Sequence, residues 1–189
     1  MQQVTAQFVH ALDDDRVRCQ LCPHHCTLAP GDTGICRVRT NAGGHLELSY
    51  YGRATALGVD PIEKKPLYHF HPGSRILSVG FLGCNLRCPF CQNYRISQRS
   101  DTQTDYISPD SLISEATRLG SIGVAYTYNE PTIHFEYVER AAETAHAAGL
   151  KNVLVTAGFL ERAPARGLSR SRAWPTARRR NRPLRARRP

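Results

Sequence analysis

Apolar residues fall along the chain in short runs divided by turn residues, and three of these runs read as buried strands. The first is Ile76-Leu77-Ser78-Val79-Gly80-Phe81-Leu82 and the second Ile122-Gly123-Val124-Ala125-Tyr126-Thr127-Tyr128. The third runs from Lys151 to Phe159. Between them the spacing of apolar positions changes to that of a helix. Ser108 supplies an N-cap, Pro109 a first-turn proline and Asp110 an acid at the positive end. Leu112, Ile113, Ala116 and Leu119 then share a face, and Gly120 stops the helix. A second helix starts near Pro131, with Ile133, Tyr137, Val138, Ala141 and Ala145 as its stripe and Gly149 at its end. This β-α-β-α-β order predicts a parallel sheet with right-handed crossovers.

The flanks follow other patterns. Residues 45–60 alternate apolar and polar positions around Gly52, which predicts a small hairpin. Pro61, Pro66 and Pro72 make residues 60–73 an extended crossing, with Lys64, Lys65, His69 and His71 expected on a solvated face. Ser97 to Asp105 is polar and expected to be mobile. From Glu161 onward neither period survives: arginine, alanine and proline dominate, and such a segment cannot bury enough apolar surface to offset its ordering entropy. The expected divisions are a cysteine-rich knuckle and hairpin over 1–60, a core over 61–160, and a disordered basic tail over 161–189.

Candidate chemistry sits where the first strand ends. Cys84, Cys88 and Cys91 stand at C-x3-C-x2-C spacing in Gly83-Cys84-Asn85-Leu86-Arg87-Cys88-Pro89-Phe90-Cys91-Gln92-Asn93-Tyr94. Three thiolates on one short loop suit a four-iron cluster with one iron left open. Structural zinc, the alternative, takes four ligands, and His69 and His71 lie before the strand. A second group, Cys19, Cys22, Cys26 and Cys36, has glycines at Gly31 and Gly34 that permit tight turns. Four sulfurs would close a zinc site or fully ligate a cluster, and His24 or His25 could replace one.

The C-x3-C-x-aromatic-C motif resembles the radical SAM superfamily. The run from Pro61 to Phe70, with Gln92-Asn93, is similar to the radical SAM enzymes of the AmmeMemoRadiSam system, which are pyruvate formate-lyase-activating-enzyme-like. The resemblance covers residues 15 to 160. It implies a partial (β/α) barrel, with three of six βα units present. It implies a [4Fe-4S] cluster on Cys84, Cys88 and Cys91, with S-adenosylmethionine at the open iron and Phe90 beside the adenine. Glu130, with Asn129, matches the acidic motif that holds the methionyl group, although Tyr128 and Asn129 replace its glycines. Helix capping is the plainer reading of Asn129 and Glu130. Thr156 and Gly158 would line the pocket. An electron donor and an unidentified protein or small-molecule substrate would complete the reaction.

Charge changes this picture in one place. Net charge is +9, but residues 161–189 hold 11 Arg and one Glu, so the preceding 160 residues carry a net −1. The core gives no electrostatic reason to expect nucleic acid; only the tail would bind polyanions, nonspecifically and in a salt-dependent way. The abrupt change of composition after the third strand reads as a frame slip that truncates an enzyme near residue 160. A metal-binding remnant without turnover and a zinc-knuckle protein with a basic arm are the competing readings. No run of about 18 apolar residues is present, so no membrane span is expected. Seven cysteines in two close groups, with no export signal, predict metal ligation in a reducing cytoplasm.

Overall fold

The computed structural model describes residues 4–99, 101–171 and 176–178. The chain begins with six short strands: β1 (Val4–Thr5), β2 (Val9–Ala11), β3 (Val17–Cys19), β4 (Thr27–Leu28), β5 (Arg39–Asn41) and β6 (Leu46–Leu48). They make two antiparallel sheets of three strands, ordered β2-β3-β4 and β1-β6-β5. Strands this short are marginal alone. Their stability comes from Val17, Leu21, Leu28, Val38, Leu46 and Leu48, all buried in the main core. Asn41 ties the two sheets together. Its amide donates to the carbonyls of Asp15 and Leu28 at 2.8 and 2.9 Å, and its oxygen accepts from the Gly44 N–H.

The main sheet follows. It contains β7 (Arg53–Pro61) and β8 (Arg75–Phe81), and after the helix α1 (Tyr94–Gln98) the short β9 (Asp105–Tyr106). Helix α2 (Pro109–Arg118), β10 (Gly123–Tyr126), α3 (Phe135–Ala147), β11 (Lys151–Thr156), α4 (Arg162–Arg170) and β12 (Thr176–Arg178) complete it. Strand order is β12-β11-β10-β8-β7-β9. β8, β10, β11 and β12 are parallel, while β7 runs antiparallel to β8 from Ala54↔Phe81 to Pro61↔Arg75. Among the described residues this is an open mixed α/β sheet, part of a barrel-like arrangement rather than a closed one.

The predicted periods account for the packing. Leu77, Val79 and Phe81 point from one face of β8 into a core shared with Leu112, Ile113 and Ala116 of α2 and Tyr137, Val138, Ala141 and Ala145 of α3. Ile76 points the other way, into a smaller cluster with Ile62, Ala125 and Val153. The Ser108 hydroxyl caps α2, accepting from Ser111 N–H at 3.0 Å. Leu119 is 38% exposed and lies outside the buried face.

Three expectations need correction. The hairpin over 45–60 does not form: β6 joins the N-terminal sheet and β7 joins the main one. β6 keeps its alternation, while β7 does not; β6 pairs with β1 and β5, and β7 with β8 and β9, rather than with each other. The polar stretch after Ser97 begins inside α1, with Ser97 and Gln98 buried, and β9 pairs with β7. The segment after Glu161 is helical over Arg162–Arg170, with Pro164, Gly167 and Leu168 buried. Gly167 makes this packing feasible, since a Cβ there would lie 2.8 Å from the Phe135 ring. Beyond α4, β12 pairs in parallel with β11. The disorder expected over 172–175 and 179–189 lies outside the described residues.

Candidate active site: the loop after β8

Gly83 begins the three-cysteine loop in a left-handed conformation, φ 85°, with a position so crowded that a Cβ would overlap the Cys36 carbonyl. No other residue type fits there. Its N–H donates to the Ile96 carbonyl of α1 at 2.8 Å, which folds the loop back on that helix. Cys84 is buried, and burial pushes its thiol up despite hydrogen bonding from the Leu86 and Glu130 backbone. Cys88 and Cys91 are half-buried. The Cys91 N–H donates to the Cys88 carbonyl at 3.2 Å, and its sulfur lies 3.8 Å from the Ser97 hydroxyl. Phe90 is 74% exposed.

Neighbouring elements hold the loop on every side. Gln98 donates to the Leu86 carbonyl at 2.8 Å and pairs with Arg87, which also donates to the Ile35 carbonyl. Asn85 donates to the Phe159 carbonyl beyond β11. His24 donates its Nε2–H to the Asn85 carbonyl at 2.8 Å and stacks edge-on against Phe159. The N-terminal cysteine region is therefore docked directly on this loop. Cys19, Cys22, Cys26 and Cys36 line one cavity, together with His24, His25 and Arg39. Arg39, 1% exposed, spans the junction: it donates to the Ile133 and Gln7 carbonyls and pairs with Glu136 at 2.6 Å.

Among the described residues, no three His, Cys, Asp or Glu side chains are gathered into a metal-holding group. All seven cysteines are free thiols. The two cysteine groups are thus placed on neighbouring segments, the N-terminal four around one cavity, and neither closes on a point.

Glu130 occupies an unexpected setting. It is 2% exposed, and its carboxylate accepts from Thr132 N–H, Thr132 hydroxyl, Thr156 hydroxyl and Ala157 N–H at 3.2, 2.8, 2.6 and 2.9 Å. Burial pushes its carboxyl up, and these bonds restore only part of the shift. Thr156 shares a face with Asn152, whose amide donates to Ala142 of α3, so the carboxylate is turned toward the helix layer. Glu130 also caps the turn Pro131–His134. Asn129 donates to the Phe81 and Gly83 carbonyls, and its side-chain oxygen is buried without a partner.

Residues 79–172 match the family model of the Radical SAM superfamily, a stretch that takes in the loop, the Asn129–Glu130 turn and α4. The chain belongs to the radical SAM superfamily. It is also similar to the uncharacterized protein MJ0808 of Methanocaldococcus jannaschii, at 40% identity over 165 residues, 86% of this chain and 50% of that one. The chain spans about half the length of this curated relative. Superfamily members use iron–sulfur and S-adenosylmethionine chemistry, and no helix among the described residues is long and apolar enough to cross a membrane.

A buried ion pair against Tyr128 escaped the sequence reading. Lys65 is 2% exposed rather than solvated, because its ammonium meets Asp60 at 2.6 Å. Asp60 also accepts from Lys64 at 2.7 Å and from the Tyr128 hydroxyl at 3.0 Å. Burial alone would raise the Asp60 carboxyl, but hydrogen bonds from Lys64 and Lys65 hold it well below the usual carboxylate range. Two adjacent lysines gave no periodic signal to separate the buried one from Lys64, whose side chain is 62% exposed.

Proposed function

We propose that Cys84, Cys88 and Cys91 hold a [4Fe-4S] cluster and that S-adenosylmethionine binds at the iron they leave without a protein ligand. The donor set fits that group: three free thiols on one loop at the carboxyl end of a parallel strand, inside the matched region, with a largely exposed aromatic between two of them. When bound, the cluster would pass an electron to the sulfonium, so that methionine leaves and a 5′-deoxyadenosyl radical takes hydrogen from a substrate. An external electron donor is required.

The chain's own residues bind and orient. Phe90 offers its exposed ring to the adenine. The Asn129 oxygen, which lacks a partner, is an acceptor for the methionyl amino group. Glu130 contributes by holding the turn, since its carboxylate already carries four hydrogen bonds. Cys19, Cys22, Cys26 and Cys36 form a second metal site, zinc or iron–sulfur, supported by their shared cavity. The EKKP run and Gln92-Asn93 favour the AmmeMemoRadiSam subfamily, with a protein glycine or a small molecule as substrate.

The observation that carries this reading is the C-x3-C-x2-C loop after β8. Low-temperature EPR of the anaerobically reconstituted, reduced chain tests it. A four-iron signal that changes when S-adenosylmethionine is added supports the proposal. A cluster signal indifferent to the cofactor identifies a metal-binding remnant, and stoichiometric zinc without a cluster overturns the assignment of the loop.

A further inference from the structure

Two contacts pin the ends of the cysteine loop, and both come from the dipeptide Tyr128-Asn129. Asn129 donates to the carbonyl of Gly83, the residue before Cys84. The Tyr128 carbonyl accepts from Asn93, two residues past Cys91, at 2.6 Å. Tyr128 itself has φ 71°, a left-handed backbone that a bulky residue rarely adopts. Such a conformation persists only when its surroundings over-determine it.

Those surroundings are specific. Gly80 opens the sheet under the ring, since a Cβ there would come 2.7 Å from a Tyr128 ring carbon. The hydroxyl donates to Asp60 at 3.0 Å. Asp60 is fixed by Lys64 and Lys65, and the Lys65 ammonium also lies 5.0 Å from the centre of the Tyr128 ring. An ion pair at the far end of β7 is thereby connected, through one side chain, to both ends of the loop that β8 delivers.

We propose that Tyr128 is the positioning residue of the three-cysteine loop. The Asp60–Lys65 pair anchors its side chain, while its carbonyl and the following Asn129 fix the separation of Gly83 and Asn93. That separation decides how Cys84 and Cys91 are presented to a metal. The consequence for the cluster rests on the function proposed above; the anchoring is a property of the chain alone.

Tyr128→Phe is the informative variant, because it keeps the ring and leaves the Asp60–Lys65 pair intact. The reduced, metal-free full chain is pulse-labelled with iodoacetamide, and each cysteine is followed by mass spectrometry. Cys84 should label about fivefold faster than in the wild type, the equivalent of one ordinary hydrogen bond. Cys19 and Cys36, also buried, serve as internal references and should not change. Equal Cys84 rates in the two proteins overturn the proposal, and so does a parallel rise at all three sites, which would mean general loosening. In reconstituted protein the same variant should weaken S-adenosylmethionine binding severalfold at unchanged iron content. If the wild type takes up no cluster, the proposed function fails while the labelling ratio still decides the role of Tyr128.

Discussion

Replacing Glu130 by glutamine separates its structural task from any contact with a cofactor. One oxygen of the carboxylate takes three donors, from Thr132 and Thr156, and the other takes the Ala157 N–H. Glutamine can keep the first oxygen. It must then turn an NH2 group toward the Ala157 N–H, so one hydrogen bond is lost and two donors face each other in a site only 2% exposed. Losing the bond costs about 1 kcal/mol and the unsatisfied donors about 1–3 kcal/mol more, so the metal-free protein should be destabilised by about 2–4 kcal/mol. Urea unfolding followed by circular dichroism at pH 6 measures this. The pH dependence has a definite sign. Burial raises the folded carboxyl above its ordinary 4.5, so the contribution of Glu130 is full below that value and is lost as pH rises through the folded one. The glutamine variant lacks this slope, and the gap between the two proteins should narrow as pH increases. A destabilisation under about 0.5 kcal/mol at pH 6 would show that the carboxylate does not hold the turn.

Two further outcomes follow from buried groups nearby. Arg39→Ala leaves the buried Glu136 carboxylate without its cation and with the Gln7 N–H still donating to it, and should cost about 3–5 kcal/mol in urea unfolding; a loss below about 1 kcal/mol would mean the pair is not formed. His134 is fully buried and donates Nε2–H to the Leu82 carbonyl at 2.8 Å, while its Nδ1 has no partner. Burial lowers its pKa from 6.5 to about 4, so stability should be full above pH 6.5 and fall by about 3 kcal/mol as pH drops toward 4. This slope is opposite to that of Glu130, and comparing His134→Gln with the wild type across pH 4–7 isolates it.

The parallel core was legible because its signals are local. The apolar runs of β8, β10 and β11, the Ser108 cap and the stripe of α3 each reside within a few residues of sequence. The partner of β7 was not legible, because residues 45–60 carry the right alternation for either a hairpin or a long-range pairing. Helix α4 was missed for a different reason. Its buried face is Pro164, Gly167 and Leu168, so close backbone approach substitutes for the apolar stripe that marks an ordinary helix. At the site, the cysteine spacing and the turn at Asn129–Glu130 could be read directly. That the Glu130 carboxylate faces Thr156, and that Lys65 is buried against Asp60, depends on residues 26 and five positions away in different elements.

Arg39 also bears on how the protein emerges during synthesis. Its buried partners, the Ile133 carbonyl and the Glu136 carboxylate, lie 94 and 97 residues downstream. The N-terminal sheets therefore leave the ribosome with a cation they cannot neutralise from within. Closing so long a loop carries an entropic cost that only the assembled core offsets. The cysteine-rich region should thus acquire its final form after α3 has been made, and a nascent chain halted before residue 136 should present that region to proteases.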